Sequence, residues 1–331
     1  MNEVWILAET KAGKVSSVSF ELLSWARSLG SPEKVRVTAV LAGPASDPEE
    51  LCYRGADAVV HGSDAALSGF SARHLAAYLA ALFQRTRPSV LLAAATTTGR
   101  TVLPYLAARE GLGLTADCTE LSLESEGGEL IQTRPAAGGS IMATIRTTRG
   151  RPQMATVRPH SRKALDRNTS RPVTVEVLSS TEIGCRAEAA DVALLEERPF
   201  PSSRGIADAR LVIAGGKGFR KKDGFALLFG LTEHTGGEVG ASREAVDRGW
   251  ADYPRQVGLS GRTISPIVYM AFGISGAIQH LAGMQTAETV ISINTDPDAP
   301  LAAMSDLAIR ADLYELIPVL TARLEAYRSV E

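Results

Sequence analysis

Short apolar runs alternate with amphipathic stretches through the first third of the chain. Val4–Ala8, Val35–Leu41, Asp57–His61 and Val90–Ala95 read as strands. Between the last two, Leu75, Tyr78, Leu79, Leu82 and Phe83 recur at i, i+3, i+4, i+7 and i+8, which is one apolar face of a helix. Ser16 or Ser17 can cap an earlier helix that runs to about Leu29 and closes at Gly30, and another helix is expected over Thr101–Ala108. Strand–helix alternation predicts a parallel sheet covered on both faces. The pattern then changes. Thr115–Leu123, Glu129–Arg134, Ile141–Arg146 and Met154–Arg158 read as consecutive strands, which predicts antiparallel additions to one edge of the sheet.

A polar stretch with Glu196, Glu197, Pro199, Pro201 and Gly205 predicts a linker over 187–210. Alternation resumes with a strand at Leu211–Ala214, a helix at Phe225–Thr235, a strand at Glu238–Ala241 and a helix at Arg243–Arg248. Then come a strand at Ile267–Phe272, a short helix opened by Ser275 and ending near Gly283, and strands at Thr289–Asn294 and Leu307–Ala311. Pro318 suits the first turn of the last helix. The fold class expected is α/β with two doubly wound domains: a three-layer α/β domain over 1–186 with antiparallel edge strands, and a second over 211–331. Ligands of such sheets sit beyond the carboxyl ends of the strands.

A length of 331 residues suits two domains, and 45% apolar with 22% charged residues is ordinary globular composition. A net charge of −2 argues against a nucleic-acid partner, which needs a concentrated basic face. Arg151, Arg158, Arg162 and Lys163 cluster, and a solvated loop is a better reading of them than a phosphate site. Cys52, Cys118 and Cys185 show neither a disulfide framework nor zinc spacing and read as buried thiols. Neither a signal peptide nor a membrane-spanning run is expected, so a cytoplasmic location fits.

Five segments of the second half carry candidate chemistry. Gly215-Gly216-Lys217-Gly218 follows a strand and offers flexible backbone and a cation; it also reads as a plain tight turn. In Gly240-Ala241-Ser242-Arg243, Ser242 can cap the next helix while Arg243 stands in its first turn, against the helix dipole. Gln256-Val257-Gly258-Leu259-Ser260-Gly261 has the look of a loop that clasps a ligand. Gly273-Ile274-Ser275-Gly276-Ala277-Ile278-Gln279-His280 places a glycine turn between strand and helix, the layout that aims backbone N–H groups at a phosphate. Asn294, in an Asx-turn sequence, and Asp312 each follow a strand and can bond ribose or adenine.

Taken in order over 211–320, these segments resemble the C-terminal domain of the electron-transfer flavoprotein alpha subunit. The first half is similar to the same family through Val4–Glu9, the Thr96-Thr97-Thr98-Gly99-Arg100 turn, Gly113–Cys118 and Val157-Arg158-Pro159. The resemblance implies a flavodoxin- or Rossmann-like domain over 211–331 that binds one FAD, and an N-terminal domain that packs against a beta subunit. Electrons would pass from flavin dehydrogenases of the acyl-CoA dehydrogenase type, as in fatty acid beta-oxidation, to a membrane quinone oxidoreductase or similar acceptor, without membrane insertion of this chain. The alternative is an electron-bifurcating or dedicated dehydrogenase complex with a second FAD in the beta subunit. By this resemblance Ser242, Gly258, Ser275, Gly276 and Gln279 would hold the ribityl-diphosphate, Arg243 would lie over the isoalloxazine, His280 would approach its O2 side, and Ser260 would bond near N5. Asn294 and Asp312 would fix the adenosine end; Lys217, Gln256, Val257, Leu259, Gly273, Ala277 and Ile278 complete the expected contacts. Lys217 stands where the family usually has arginine, Leu259 where glutamine is common, Ser260 where threonine is usual, and Arg310 where a small or apolar residue is usual.

Overall fold

The computed structural model describes the chain except residues 1, 12, 32, 65–66, 68–70, 125–127, 137–140, 186–195, 197–204 and 329–331. Two compact units divide it, Met1–Glu197 and Arg198–Glu331. Most of the expected 187–210 linker lies outside the described residues; within it Ile206–Asp208 form a 3-10 turn.

The first unit runs β1 (Asn2–Ala8), β2 (Thr10–Lys11), β3 (Lys14–Val15), α1 (Ser17–Ser28), β4 (Val35–Ala42), α2 (Glu49–Tyr53), β5 (Ala58–Gly62), α3 (Ala72–Thr86), β6 (Val90–Ala94) and α4 (Thr97–Glu110). It continues with β7 (Leu114–Cys118), β8 (Glu120–Leu123), β9 (Leu130–Ala136), β10 (Ile141–Arg146), β11 (Gln153–Val157) and β12 (Val175–Val177). Seven strands form a parallel sheet in the order β12-β5-β4-β1-β6-β11-β7. Side chains of β1 alternate between two cores. Val4 and Ile6 pack with Leu22 and Leu23 of α1, while Trp5 and Leu7 pack with Tyr78 of α3 and Leu103 of α4. Helices on both faces are why β1 and β6 read as unbroken apolar runs.

The antiparallel strands do not lie on the edge of this sheet. β8, β9 and β10 pair with one another as a separate three-stranded sheet. The reason is topological: β11 returns parallel to its neighbour β7, which requires a long crossover, and β8–β10 fill that crossover where a helix would normally stand. At this corner Asp117 takes a left-handed φ of 61° and receives a two-pronged bond from Arg158, Nε at 3.1 Å and Nη2 at 2.6 Å. Burial pushes the Asp117 carboxyl up, but Arg158, Arg100 and Arg134 together hold it below its ordinary value. β12 was not legible in the sequence, because three residues are too few to show an alternation.

α4 starts at Thr97, earlier than expected, because Thr96 Oγ1 accepts the Gly99 N–H at 3.2 Å and caps the helix. The same hydroxyl donates to Glu9 Oε1 at 2.6 Å. Burial raises the Glu9 pKa and the Thr96 bond partly offsets it.

The second unit runs β13 (Leu211–Gly215), α5 (Lys222–Phe225), α6 (Leu227–Thr235), β14 (Glu238–Ala241), α7 (Arg243–Asp247), β15 (Val268–Phe272), α8 (Ile278–Leu281), β16 (Thr289–Asn294), α9 (Pro300–Ala303), β17 (Leu307–Arg310) and α10 (Leu313–Arg328). All five strands are parallel, in the order β14-β13-β15-β16-β17. In chain order this is 2-1-3-4-5, a doubly wound sheet whose direction of winding reverses between β13 and β15. Phe219, Phe225, Phe272 and Ile317 fill one face, and Tyr269, Ile274, Met284 and Leu301 the other. Pro318 lies inside α10, not in its first turn, because Asp312 accepts the Tyr314 N–H at 2.8 Å and starts the helix earlier. No helix among the described residues is long and apolar enough to cross a membrane.

A methyl group added at Gly99 would stand 1.9 Å from the Ala94 carbonyl oxygen, in backbone that cannot swing aside. Gly99→Ala should therefore destabilise the protein by about 2 kcal/mol or more, read as a lower urea midpoint. An unchanged midpoint would show that α4 can move off β6.

Candidate functional site

The loops after β13 and β15 meet backbone to backbone. Gly216 N–H donates to Phe272 O and Gly218 N–H to Gly273 O, each at 3.0 Å. A Cβ at Gly216 would come within 2.4 Å of Gly273 O, and one at Gly218 within 2.6 Å of Gly273 Cα. Gly273 turns with φ 61°, Gly276 with φ 93° against the backbone of Leu301. Beyond this contact opens a crevice of about 80 Å³ lined by Gly218, Gly273, Asn294 and Asp312, at the carboxyl ends of β13 and β15–β17. The backbone N–H groups of Ser275, Gly276 and Ala277 have no partner among the described residues. Free N–H groups in a turn of this kind suit an anion.

One expectation changes here. Ser275 does not cap the following helix: α8 begins at Ile278 after Ala277, without a side-chain cap, and has only four residues. Its dipole is correspondingly small, so anion binding by this segment rests on the free N–H groups of the turn.

Asn294 crosses to the same loop, donating from Nδ2 to Ile274 O at 3.2 Å, while its Oδ1 accepts the Asp296 N–H at 3.2 Å in an Asx turn. Ser242 caps α7, its Oγ accepting from Ala245 N at 3.4 Å. Arg243 projects into solvent, 72% exposed, and meets Asp247 at 3.4 Å. Lys217 is 68% exposed and lies 3.6 Å from Glu244. Exposed pairs of this kind contribute at most about 1 kcal/mol, so both cations are available to a ligand.

The 256–260 loop is fastened on two sides. Val257 N–H donates to Ala241 O at 2.9 Å, and Leu259 N–H to Gln279 O at 2.8 Å. Gln256 is buried and its Nε2 donates to Ser260 Oγ at 2.9 Å, which makes it an internal brace of the loop. Gly258, with φ 140°, packs against the backbone of Gln279 and His280. Ile278 and Gln279 are exposed and His280 is buried. His280 Nε2 lies 2.7 Å from Tyr269 Oη, deep under the loop. Burial depresses the His280 pKa to about 4; the Val257 backbone opposes that shift, but outside hydrogen-bonding geometry, and Nδ1 has no hydrogen-bond partner among the described residues.

Two residues at the site carried no signal in the sequence. Arg220 lines the crevice with a positive φ of 59°, sparsely populated for a residue with a side chain. Tyr269 reads as an ordinary strand residue, and only the fold places it under His280.

A parallel 2-1-3-4-5 sheet with a glycine-lined crevice and unpaired N–H groups at its winding reversal defines a nucleotide-binding domain. Comparison with known proteins gives the particular kind. Residues 4–183 match the electron transfer flavoprotein domain, and residues 205–285 match the electron transfer flavoprotein FAD-binding domain. The chain is 38% identical to the electron transfer flavoprotein subunit alpha of Clostridium acetobutylicum, over 98% of this chain and 97% of that one. It is 37% identical to the protein of the same name from Megasphaera elsdenii, over 99% of this chain and 97% of the relative. It is 38% identical to protein FixB of Bradyrhizobium diazoefficiens, over 98% of this chain and 88% of the relative. The chain belongs to the electron transfer flavoprotein alpha subunit family, which includes the FixB proteins, and it is an electron-transport flavoprotein.

Because the folded His280 is depressed from 6.5 to about 4, the unfolded chain binds the extra proton between those values. Stability therefore rises with pH, is complete above about 6.5, and falls as pH drops toward 4. The contribution is on the order of 3 kcal/mol. Denaturant unfolding at pH 7.5 and pH 5 should show a smaller loss for His280→Asn than for the native chain. Equal losses would mean that His280 is protonated in the folded state.

Proposed function

We propose that the second unit binds one FAD across the carboxyl ends of β13–β17, and that the chain pairs with an electron-transfer flavoprotein beta subunit through its first unit. The heterodimer then carries electrons from flavin dehydrogenases of the acyl-CoA dehydrogenase type, in fatty acid beta-oxidation, to a quinone oxidoreductase, in the cytoplasmic compartment. The observation that carries this reading is the side-chain-free contact of Gly216 and Gly218 with Gly273, beside three unpaired N–H groups. A dinucleotide needs such a cradle, because its diphosphate must approach backbone closely.

When bound, the flavin supplies one-electron redox chemistry; the protein supplies binding and electrostatics. Ser275, Gly276 and Ala277 would offer N–H donors to the diphosphate, and the Ser242 and Gln279 side chains would help to hold it. Asn294 and Asp312 line the crevice that would take the adenosine end. Ser260 is an exposed residue whose hydroxyl accepts from Gln256 and keeps its own proton to donate. Arg243 and Lys217 bring positive charge, which favours the added negative charge of a reduced ring. Lys217 keeps the charge of the usual arginine and loses its planar fork. Leu259 offers only its backbone, already bonded to Gln279, where a side-chain amide is common.

The chain co-expressed with its beta subunit should purify yellow, with one FAD per heterodimer by absorbance and by release of the cofactor. Two FAD per heterodimer would replace the carrier reading with a bifurcating complex, and a colourless protein would refute flavin binding.

Arg243→Ala should leave the fold intact and lower the first one-electron potential by about 60 mV, the equivalent of one charge-assisted hydrogen bond. An unchanged potential in a dithionite titration would remove Arg243 from the flavin.

A further inference from the structure

The buried pair Tyr269–His280 fixes where a proton sits. Tyr269 is wholly buried on β15, and its Oη lies 2.7 Å from His280 Nε2 with no other partner among the described residues. Two arrangements satisfy this distance. If Nε2–H donates, the tyrosine O–H is left buried without an acceptor, and a bare Nδ1 lone pair lies under the Val257 turn. If Oη–H donates, Nε2 is satisfied and the Nδ1–H alone is left without a partner among the described residues. An unsatisfied buried polar group costs about 1–3 kcal/mol, and the second arrangement leaves one fewer, so it wins.

We propose that Tyr269 is a positioning residue: by donating to Nε2 it holds His280 as the neutral Nδ1–H tautomer beneath the Val257–Gly258 turn, giving the loop that carries Ser260 a single, fixed, uncharged support. The proposal rests on the FAD reading for its effect on redox properties, but not for the tautomer itself. His280 then contributes a directed dipole, and the positive charge of the site comes from Arg243 and Lys217.

The test uses the FAD-loaded heterodimer with ¹⁵N-labelled histidine, the His280 signals assigned by their loss in His280→Asn. The native protein should show Nδ1 protonated and Nε2 unprotonated. Tyr269→Phe should retain flavin, populate the Nε2–H tautomer, and change the equilibrium constant for uptake of the first electron roughly threefold to tenfold. A native Nε2–H tautomer overturns the proposal, as does a Tyr269→Phe protein with native tautomer and native potential. If Tyr269→Phe does not fold, the native tautomer decides alone. Absence of flavin from the native heterodimer would refute the FAD reading, and the tautomer would still be read on the flavin-free protein.

Discussion

The second unit is organised around the absence of side chains where β13 and β15 end. Parallel neighbours that wind in opposite directions leave a gap between their outgoing loops. Here the gap is closed by Gly216, Gly218 and Gly273, whose backbones bond directly to one another and to Phe272. Because the loops touch, Asn294 on the next strand can reach Ile274, and Leu301 N–H can bond Ser275 O at 3.0 Å. The Ser275–Ala277 turn is thereby held open with its N–H groups outward. A side chain at any of these three glycines would separate the loops and disturb the contacts further along the sheet edge.

Much of this was legible beforehand, for definite reasons. Apolar runs flanked by helices can only be interior parallel strands, so β1, β4, β6, β13, β15 and β16 stood out. The glycine turn after β15 was legible because glycine at a strand–helix junction has few other uses. Topology between strands was harder. Four consecutive strand patterns after Thr115 do not say with which strand each pairs, and β11 turned out to be a parallel insertion between β6 and β7. Ser275 has the right chemistry either for a cap or for a phosphate, and the cap is the reading that fails, because its backbone is spent on the turn. Arg220 and Tyr269 were invisible: their meaning comes from a backbone angle and from a neighbour eleven residues away.

Charge at the site is arranged by exposure. Lys217 and Arg243 remain in water and are held only by Glu244 and Asp247, so their desolvation awaits a ligand. His280 is neutral because burial opposes its charge. Positive potential therefore enters from the rim, where salt screens it, and the floor beneath the loops is polar without being charged.

Asn294 and Asp312 each do two tasks. Their side chains close an Asx turn and start a helix, and both line the crevice, while Ser242 caps a helix and Gln256 braces a loop. Among the described residues the side chains of Lys217, Leu259 and Arg310 hold no such bond, and Ser260 needs only its hydroxyl. Three of these four positions are thus free to drift without disturbing the scaffold, and the fourth tolerates any hydroxyl. A substitution at Lys217, Leu259 or Arg310 therefore leaves the scaffold's caps, turns and braces intact, whereas one at Ser242, Gln256, Asn294 or Asp312 removes one of them.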